Sequence, residues 1–436
     1  MSLLLDAGYL LALLLCSPVL IYRSFRQGKY REGWSAKFSG RVPRRLGDRK
    51  CIWFHAVSVG EIKLLKPLLL EVSRRRPDWE VVISTTTRTG LAVARKDYPD
   101  LVTFYAPLDF SWAVRRAVAR IRPTILALVE LELWPNLIRE VKQSGSQVAV
   151  VNGRLSERSF KGYRMLRWGL AETLRSLDLV AVQTEEYGRR FADLGVPASR
   201  IRVTGSVKYD GLESDRANPR TLNLRRVLGL SASDLIFVAG STMEGEEAAA
   251  LEAFQAARRE FPRLRLILVP RHAERFQSVA TDLERKGVSF TRRSEISGRG
   301  VAPATPVVLV DTVGELSAVW GLADLAFVGG SLFPGRGGQN MMEPAAYGAA
   351  VFFGPYTQNF KDAVEGLLGC EGAVRVQSVS DLTRQILQAL HDPESASERG
   401  HAGREFVLAQ HGASARTALE LDRLLHHPQE LRVLVA

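Results

Sequence analysis

Three carboxylates and a lysine stand where apolar runs give way to turns. In HAVSVGE, Glu61 follows one such run and opens a helical pattern. In LALVELELWPN, Glu130 and Glu132 close another, and a continuing strand would turn both to one face. A carboxylate close to another is harder to ionise, which raises its pKa and makes it a better base. A helix N-terminus would pull Glu61 the other way. Ser58-x-x-Glu61 is also a capping box, which by itself needs only a helix start. GSVKYD offers Lys208 to an anionic substrate, although most lysines are merely solvated.

The second half carries residues suited to a nucleotide. The Gly-rich stretch VGGSLFPGRGGQNMMEPAAYG follows an apolar run and leads into a helical pattern. Gly337 and Gly338 would let backbone N–H groups approach an anion, and a helix from Asn340 would offer its positive end. Glu343, one turn inside, could accept from ribose hydroxyls, while Asn340-x-x-Glu343 equally reads as a capping box. In LILVPRHAERF, Arg271 could hold a phosphate as a fork or form a surface ion pair. In VVLVDTVGEL, Thr312-x-x-Glu315 repeats the capping pattern around Gly314.

These residues need strands to hold them. CIWFHAVS, WEVVISTTT, TFYAPL, TILALVE, SQVAVVNG, LDLVAVQT and RIRVTG alternate with helical patterns. The rhythm restarts at DLIFVAGST and continues through LRLILVPRH, VVLVDTVGE, LAFVGGS and AVFFGP. Short buried strands alternating with helices mean parallel sheets wrapped by helices. The 436 residues suit two such domains. The polar stretch from Tyr209 to Ser233 separates them, which predicts domains over 51–215 and 216–436. The final helical pattern, SARTALELDRLL, could pack back on the first. Ligands of doubly wound domains bind at the carboxyl ends of the strands, here in a cleft between the two.

The N-terminus reads differently. Leu3 to Tyr22 is apolar apart from Asp6, and as a helix it spans about 30 Å, the thickness of a hydrocarbon core. Residues 1–22 are therefore predicted to be a membrane anchor, either single-pass or monotopic, with Asp6 reaching an interface. No basic residue precedes the run and no clear small-x-small site follows, against a cleaved signal. Residues 23–50 form a basic collar, with ten Lys or Arg against Glu32 and Asp48. By the positive-inside rule the rest of the chain stays in the cytoplasm. Tyr30, Trp34 and Phe38 interleave with Arg31 and Lys37, as in an interfacial helix or one packed on the domain. Most of the net charge of +12 sits in this collar. It suits anionic lipid headgroups better than a nucleic-acid groove.

No H-E-x-x-H, paired His–Cys set or D-x-D appears, so neither metal nor cofactor is expected. The G-x-S-x-G elbow is absent as well. Cys16, Cys51 and Cys370 are too few and too scattered for a disulfide framework and read as small apolar residues in a reducing compartment.

The motifs AVSVGE, ELELWPN, NGRLSERS, VTGSVKYD, ILVPRH, DTVGEL, FVGGS, GGQN-x-x-EPAAYG and FGPYTQNFKD occur in this order. Together they resemble the 3-deoxy-D-manno-octulosonic acid (Kdo) transferases of lipopolysaccharide synthesis, from the anchor to about residue 365. The resemblance implies a GT-B fold of two Rossmann-like domains, CMP-Kdo as donor and a lipid A precursor as acceptor. It implies inversion at the anomeric centre without a metal. The family's general base falls on Glu61 and its transition-state partners on Glu130 and Lys208. CMP contacts fall on Pro270 and Arg271, on Val313, Gly314 and Glu315, and on Asn340, Met341, Met342 and Glu343. Two positions depart from the family, which usually has His where this chain has Gln339 and Met243. Those departures keep open a nucleotide-binding scaffold without catalysis, or a GT-B enzyme with another sugar donor.

Overall fold

The computed structural model describes residues 2–27, 32–165, 167–296 and 305–426. The chain divides into two compact units, residues 1–211 with 411–436, and residues 212–410. Each unit is built on a seven-stranded, wholly parallel sheet.

In the first unit the strands are β1 (Cys51–His55), β2 (Glu80–Thr85), β3 (Val102–Tyr105), β4 (Ile125–Val129), β5 (Gln147–Gly153), β6 (Leu179–Val182) and β7 (Ile201–Val203). Their order is β3-β2-β1-β4-β5-β6-β7, so the winding reverses between β1 and β4. Alternation along each strand builds two cores. Cys51 and Trp53 of β1 join Leu126 and Val148 on one face, while Ile52 and Phe54 join Ile125 and Ala149 on the other. Trp53 and Phe54 are fully buried, and such a side chain contributes roughly 1.5–3 kcal/mol by leaving water. The last helix, Ala413–His426, lays Ala418, Leu421 and Leu424 on the Ile52 face. Arg76 holds Asp422 of that helix at 2.6 Å.

In the second unit the strands are β8 (Leu235–Thr242), β9 (Leu264–Pro270), β10 (Phe290–Arg292), β11 (Val307–Leu309), β12 (Leu325–Val328), β13 (Ala350–Phe353) and β14 (Ala373–Arg375). The order is β10-β11-β9-β8-β12-β13-β14, and its reversal lies between β8 and β12. Parallel strands covered on both faces must be apolar throughout, and β11, β12 and β13 are buried at every residue.

The N-terminal helix runs over Ser2–Gln27, and Ser2–Val19 is long and apolar enough to cross a membrane. Asp6 does not reach towards an interface. It is buried and accepts from Ser111 N (2.9 Å), Ser111 Oγ (2.5 Å) and Asn136 Nδ2 (3.3 Å). A short helix, Trp34–Ser39, follows, in which Trp34 stacks on Phe38. Lys29, Tyr30 and Arg31 of the collar lie outside the described residues. Cys16 is exposed, Cys51 buried and Cys370 half-buried, all as free thiols. Burial pushes the Cys51 thiol up to about 12, which keeps it protonated and inert.

Candidate functional site

In the first unit the reversal point gathers the carboxylates. β1 and β4 are neighbours, and Glu61 follows one as Glu130 follows the other. Ser58 ends the β1 turn as the cap of helix Val59–Arg75. Its Oγ accepts from Glu61 N at 3.2 Å and donates to Glu61 Oε1 at 2.7 Å, and Val57 N donates to Oε2 at 2.8 Å. The capping box is therefore real, and it fixes the Glu61 carboxylate in one place. Burial nonetheless pushes the Glu61 carboxyl above the ordinary range, against the hydrogen bonds from Ser58 and Val57 and helped by the charge of Glu130. Desolvation thus outweighs the helix terminus, a competition that residue types alone left open.

Glu130 sits at the end of β4 with φ 59°, in the left-handed region where a non-glycine residue is strained. That backbone turn sends its carboxylate to Lys208, whose Nζ lies 3.3 Å from Glu130 Oε1. Lys208 arrives from the turn after β7. The turn is held by Asn152 of β5, whose Oδ1 accepts from Val207 N at 3.2 Å. Asn152 is itself left-handed (φ 54°) and buried. The motif NGRLSERS contained it, but its partner lies 55 residues away in sequence.

Glu132 belongs to the same cluster. Burial first, then the charges of Glu61 and Glu130, push its carboxyl up to about 7. Trp134 Nε1 donates to it at 2.9 Å, and the Trp134 ring meets the edge of His55 at the end of β1. His55 is fully buried and burial pushes it down to about 4, so it is neutral. Its Nδ1 lies 2.9 Å from Ser84 Oγ, the same hydroxyl that accepts from Trp53 Nε1 at 2.7 Å.

In the second unit the reversal point is organised by Glu246, a residue that sequence reasoning missed. It is almost fully buried at the start of helix Glu246–Arg258. Its carboxylate accepts from Met243 N (2.8 Å), Gly330 N (2.6 Å), Ser331 N (2.9 Å) and Leu332 N (2.9 Å). The loop after β12 is thereby tied to the loop after β8. Gly329 has no room for a side chain, because a Cβ would lie 2.6 Å from Ser241 O and 2.7 Å from Glu246 Oε2. Next to it, Glu247 accepts from both terminal nitrogens of Arg275 (2.6 and 2.9 Å) and from Thr242 Oγ1 (2.7 Å).

The predicted nucleotide residues lie around this point with several corrections. Pro270 ends β9, and Arg271 beyond it is exposed, its N–H bound to Thr242 O at 3.0 Å. Val313 is 83% exposed beside Gly314 (φ 95°). Glu315 receives the hydroxyl of Thr312 and, at 3.0 Å, Arg293 Nη2. The helix there starts only at Leu316, so Thr312 caps nothing. The next helix starts at Met342 and not at Asn340. Asn340 instead donates to Glu343 at 3.0 Å and accepts from Met342 N at 3.2 Å. Met341 and Met342 are buried. The N–H of Gly338 is spent on Gly330 O at 2.7 Å and does not face an anion. Met243 is buried, whereas Gln339 is partly exposed against Gly330. Among the described residues, no three His, Cys, Asp or Glu gather as a metal-binding group.

Comparison with known proteins adds to this geometry. The 3-deoxy-D-manno-octulosonic-acid transferase (kdotransferase) family matches residues 32–211. The 3-deoxy-D-manno-octulosonic acid transferase of Bordetella pertussis is 34% identical over 429 residues, covering 95% of this chain and 98% of its own. That of Haemophilus influenzae is 32% identical, covering 94% and 96%. Among solved structures, a putative UDP-N-acetylglucosamine 2-epimerase from Listeria monocytogenes superposes with a TM-score of 0.58 at 13% identity, covering 88% of this chain and 98% of that one. The UDP-GlcNAc 2-epimerase of Neisseria meningitidis gives 0.57 at 11% identity, covering 87% and 100%. These two share the fold.

Proposed function

This chain belongs to the 3-deoxy-D-manno-octulosonic-acid transferase family of glycosyltransferases, and from that membership we propose that it transfers Kdo from CMP-Kdo to a lipid A precursor, with inversion and without a metal. The observation that carries this reading is the Glu61 carboxylate fixed at the β1/β4 reversal beside the Glu130–Lys208 pair. A buried carboxylate of raised pKa is suited to take a proton from a hydroxyl. The acceptor oxygen attacks the anomeric carbon of Kdo, and Glu61 takes its proton. The bond to the CMP phosphate breaks, and CMP leaves with the bonding electrons. CMP is a good leaving group, so little acid assistance is required. Lys208, held by Glu130, is a fixed cation that offsets negative charge as that bond breaks.

The first unit serves the acceptor and the second the nucleotide. Pro270, Arg271, Val313, Gly314, Glu315, Asn340 and Glu343, with the main chain of Met341 and Met342, are assigned to CMP. Arg271 is exposed and suited to a phosphate fork. The enzyme is placed on the cytoplasmic face of the inner membrane, in contact with anionic lipids through the apolar N-terminal helix and the basic collar. No nucleic acid is involved.

The test is incubation of purified protein with CMP-Kdo and a lipid A precursor, followed by mass spectrometry of the lipid. A Kdo mass increment matched by released CMP is expected, and no increment above background sinks the proposal.

A further inference from the structure

We propose that the N-terminal helix lies in the plane of the membrane surface, clamped to the first unit along one side, and does not cross the bilayer. This rests on the membrane placement proposed above and holds whichever sugar is transferred.

The helix has two sides of different chemistry. Ser2, Leu5, Asp6, Tyr9, Leu13 and Ser17 recur at spacings of three and four, and each is partly or fully withdrawn from solvent. This side is a polar clamp. Asp6 is 5% exposed and takes three hydrogen bonds from Ser111 and Asn136. The phenol of Tyr9 donates to Asp109 Oδ2 at 3.0 Å. Asp109 also accepts from the N–H groups of Asn136 and Leu137 at 3.0 and 2.8 Å. Arg139 Nη1 donates to Ser2 Oγ at 3.2 Å. Asp6 and Asp109 thus satisfy the first amides of helices Ser111–Ile121 and Pro135–Gln143, and the N-terminal helix is part of how this unit closes its own helix ends.

The opposite side is bare leucine. Leu4, Leu11, Leu14 and Leu15 are all more than half exposed, an amphipathic arrangement facing away from the unit. Aromatic rings lead outward from the clamp. Tyr9 meets the edge of Phe110, Phe110 stacks on Trp112 and tilts on Phe38, and Phe38 stacks on Trp34. Trp34 and Trp112 end the series with about half of their surface exposed, as interfacial rings do. Exposed leucine and half-exposed tryptophan suit a bilayer interface.

Crossing the bilayer is incompatible with the clamp. Asp6 and Arg23 are about 25 Å apart along a helix. If the Arg23 end stayed with the catalytic units, Asp6 would sit near the far interface, away from Ser111 and Asn136. All three of its hydrogen bonds would be lost, and the Ser111 amide at the start of helix Ser111–Ile121 would be uncovered.

The experiment uses the full chain in sealed inverted inner-membrane vesicles, whose outer surface is the cytoplasmic face. Ser2→Cys is introduced with Cys16→Ser and Cys370→Ser and treated with a membrane-impermeant maleimide. Arg158→Cys, exposed on the first unit, reports the face of that unit. Labelling of S2C before detergent equal to that after detergent, and parallel to R158C, is the expected result. At least tenfold less labelling of S2C before detergent than after, with R158C labelled throughout, shows a crossing helix and overturns the inference alone. Recovery of the protein in the soluble fraction overturns the membrane placement and the inference together.

Discussion

Lys208 Nζ stands 3.3 Å from Glu130 Oε1 although their strands, β7 and β4, are separated in the sheet by β5 and β6. The turn after β7 reaches back over those two strand ends because Asn152 Oδ1 binds Val207 N. Asn152 therefore positions Lys208 without needing to touch a substrate. Asn152→Ala is expected to lower kcat by about 10-fold to 100-fold, since a misplaced catalytic group loses about that much, while CMP affinity in the second unit is unchanged. Asn152→Asp, which keeps the acceptor, is expected to restore most of the rate. Equal kcat in Asn152→Ala and the unchanged chain would remove this role.

Glu61→Gln is the direct test of the base. Glutamine keeps one acceptor oxygen for the cap and adds a donor, so the helix start should survive. Turnover is expected to drop about 10²-fold to 10⁴-fold, the usual contribution of a positioned base. CMP release measures the rate and thermal melting checks the fold. A variant that melts normally and turns over normally excludes Glu61.

Much of this arrangement was legible beforehand, and the parts that were not share a physical reason. Apolar runs such as those in β1 and β4 announce buried parallel strands, and a charged residue just beyond them marks a strand end. Glu61 and Glu130 stand out that way, whereas Lys208 lies further along, in the turn after β7, and its residue type alone says little. Glu246 does not stand out, because the amides that make its burial tolerable lie 84 to 86 residues further on. The burial of Asp6 is hidden for the same reason, with partners 105 and 130 residues distant. The capping patterns at Thr312 and Asn340 precede the helices they suggest, because side-chain bonds to Glu315 and Glu343 imitate a cap before the helix begins.

The carboxylate cluster makes activity and stability depend on pH in different ways. Glu61 must be ionised to act, and burial raises its pKa. The acid limb of kcat/KM should therefore lie above the ordinary carboxylate range, and Glu130→Gln should move it to lower pH by removing a neighbouring charge. The charge that raises Glu61 comes from Glu130 and not from Glu132, so Glu132→Gln should leave that limb in place. Its effect is on stability. Because burial raises the folded pKa of Glu132, folding takes up a proton between the unfolded value and about 7. Stability from this group is fully present below the ordinary glutamate pKa and is lost as pH rises through about 7. Glutamine does not titrate, so Glu132→Gln should raise the melting temperature at pH 8 by more than at pH 5. Equal shifts at both pH values would contradict the assignment.

Glu246 offers the sharpest separation of structure from binding. Four amides share its two oxygens, with Met243 and Gly330 on Oε2 and Ser331 and Leu332 on Oε1. Glu246→Ala leaves all four without an acceptor in a buried place. Hydrogen bonds to a charged group are worth about 1.5–3 kcal/mol each, so a loss of at least about 3 kcal/mol is expected even after relaxation. For a unit of this size that is roughly 6–12 °C in melting temperature. Glu246→Gln keeps one oxygen and turns an N–H₂ group towards two donors, so it should fall between the two. The loop after β12 leads towards Asn340 and Glu343, assigned above to CMP. The melting-temperature increase that saturating CMP gives the unchanged chain should therefore be absent in Glu246→Ala and reduced in Glu246→Gln. If CMP stabilises both variants as fully as the parent, the Glu246 cradle holds the fold alone and does not shape the nucleotide site.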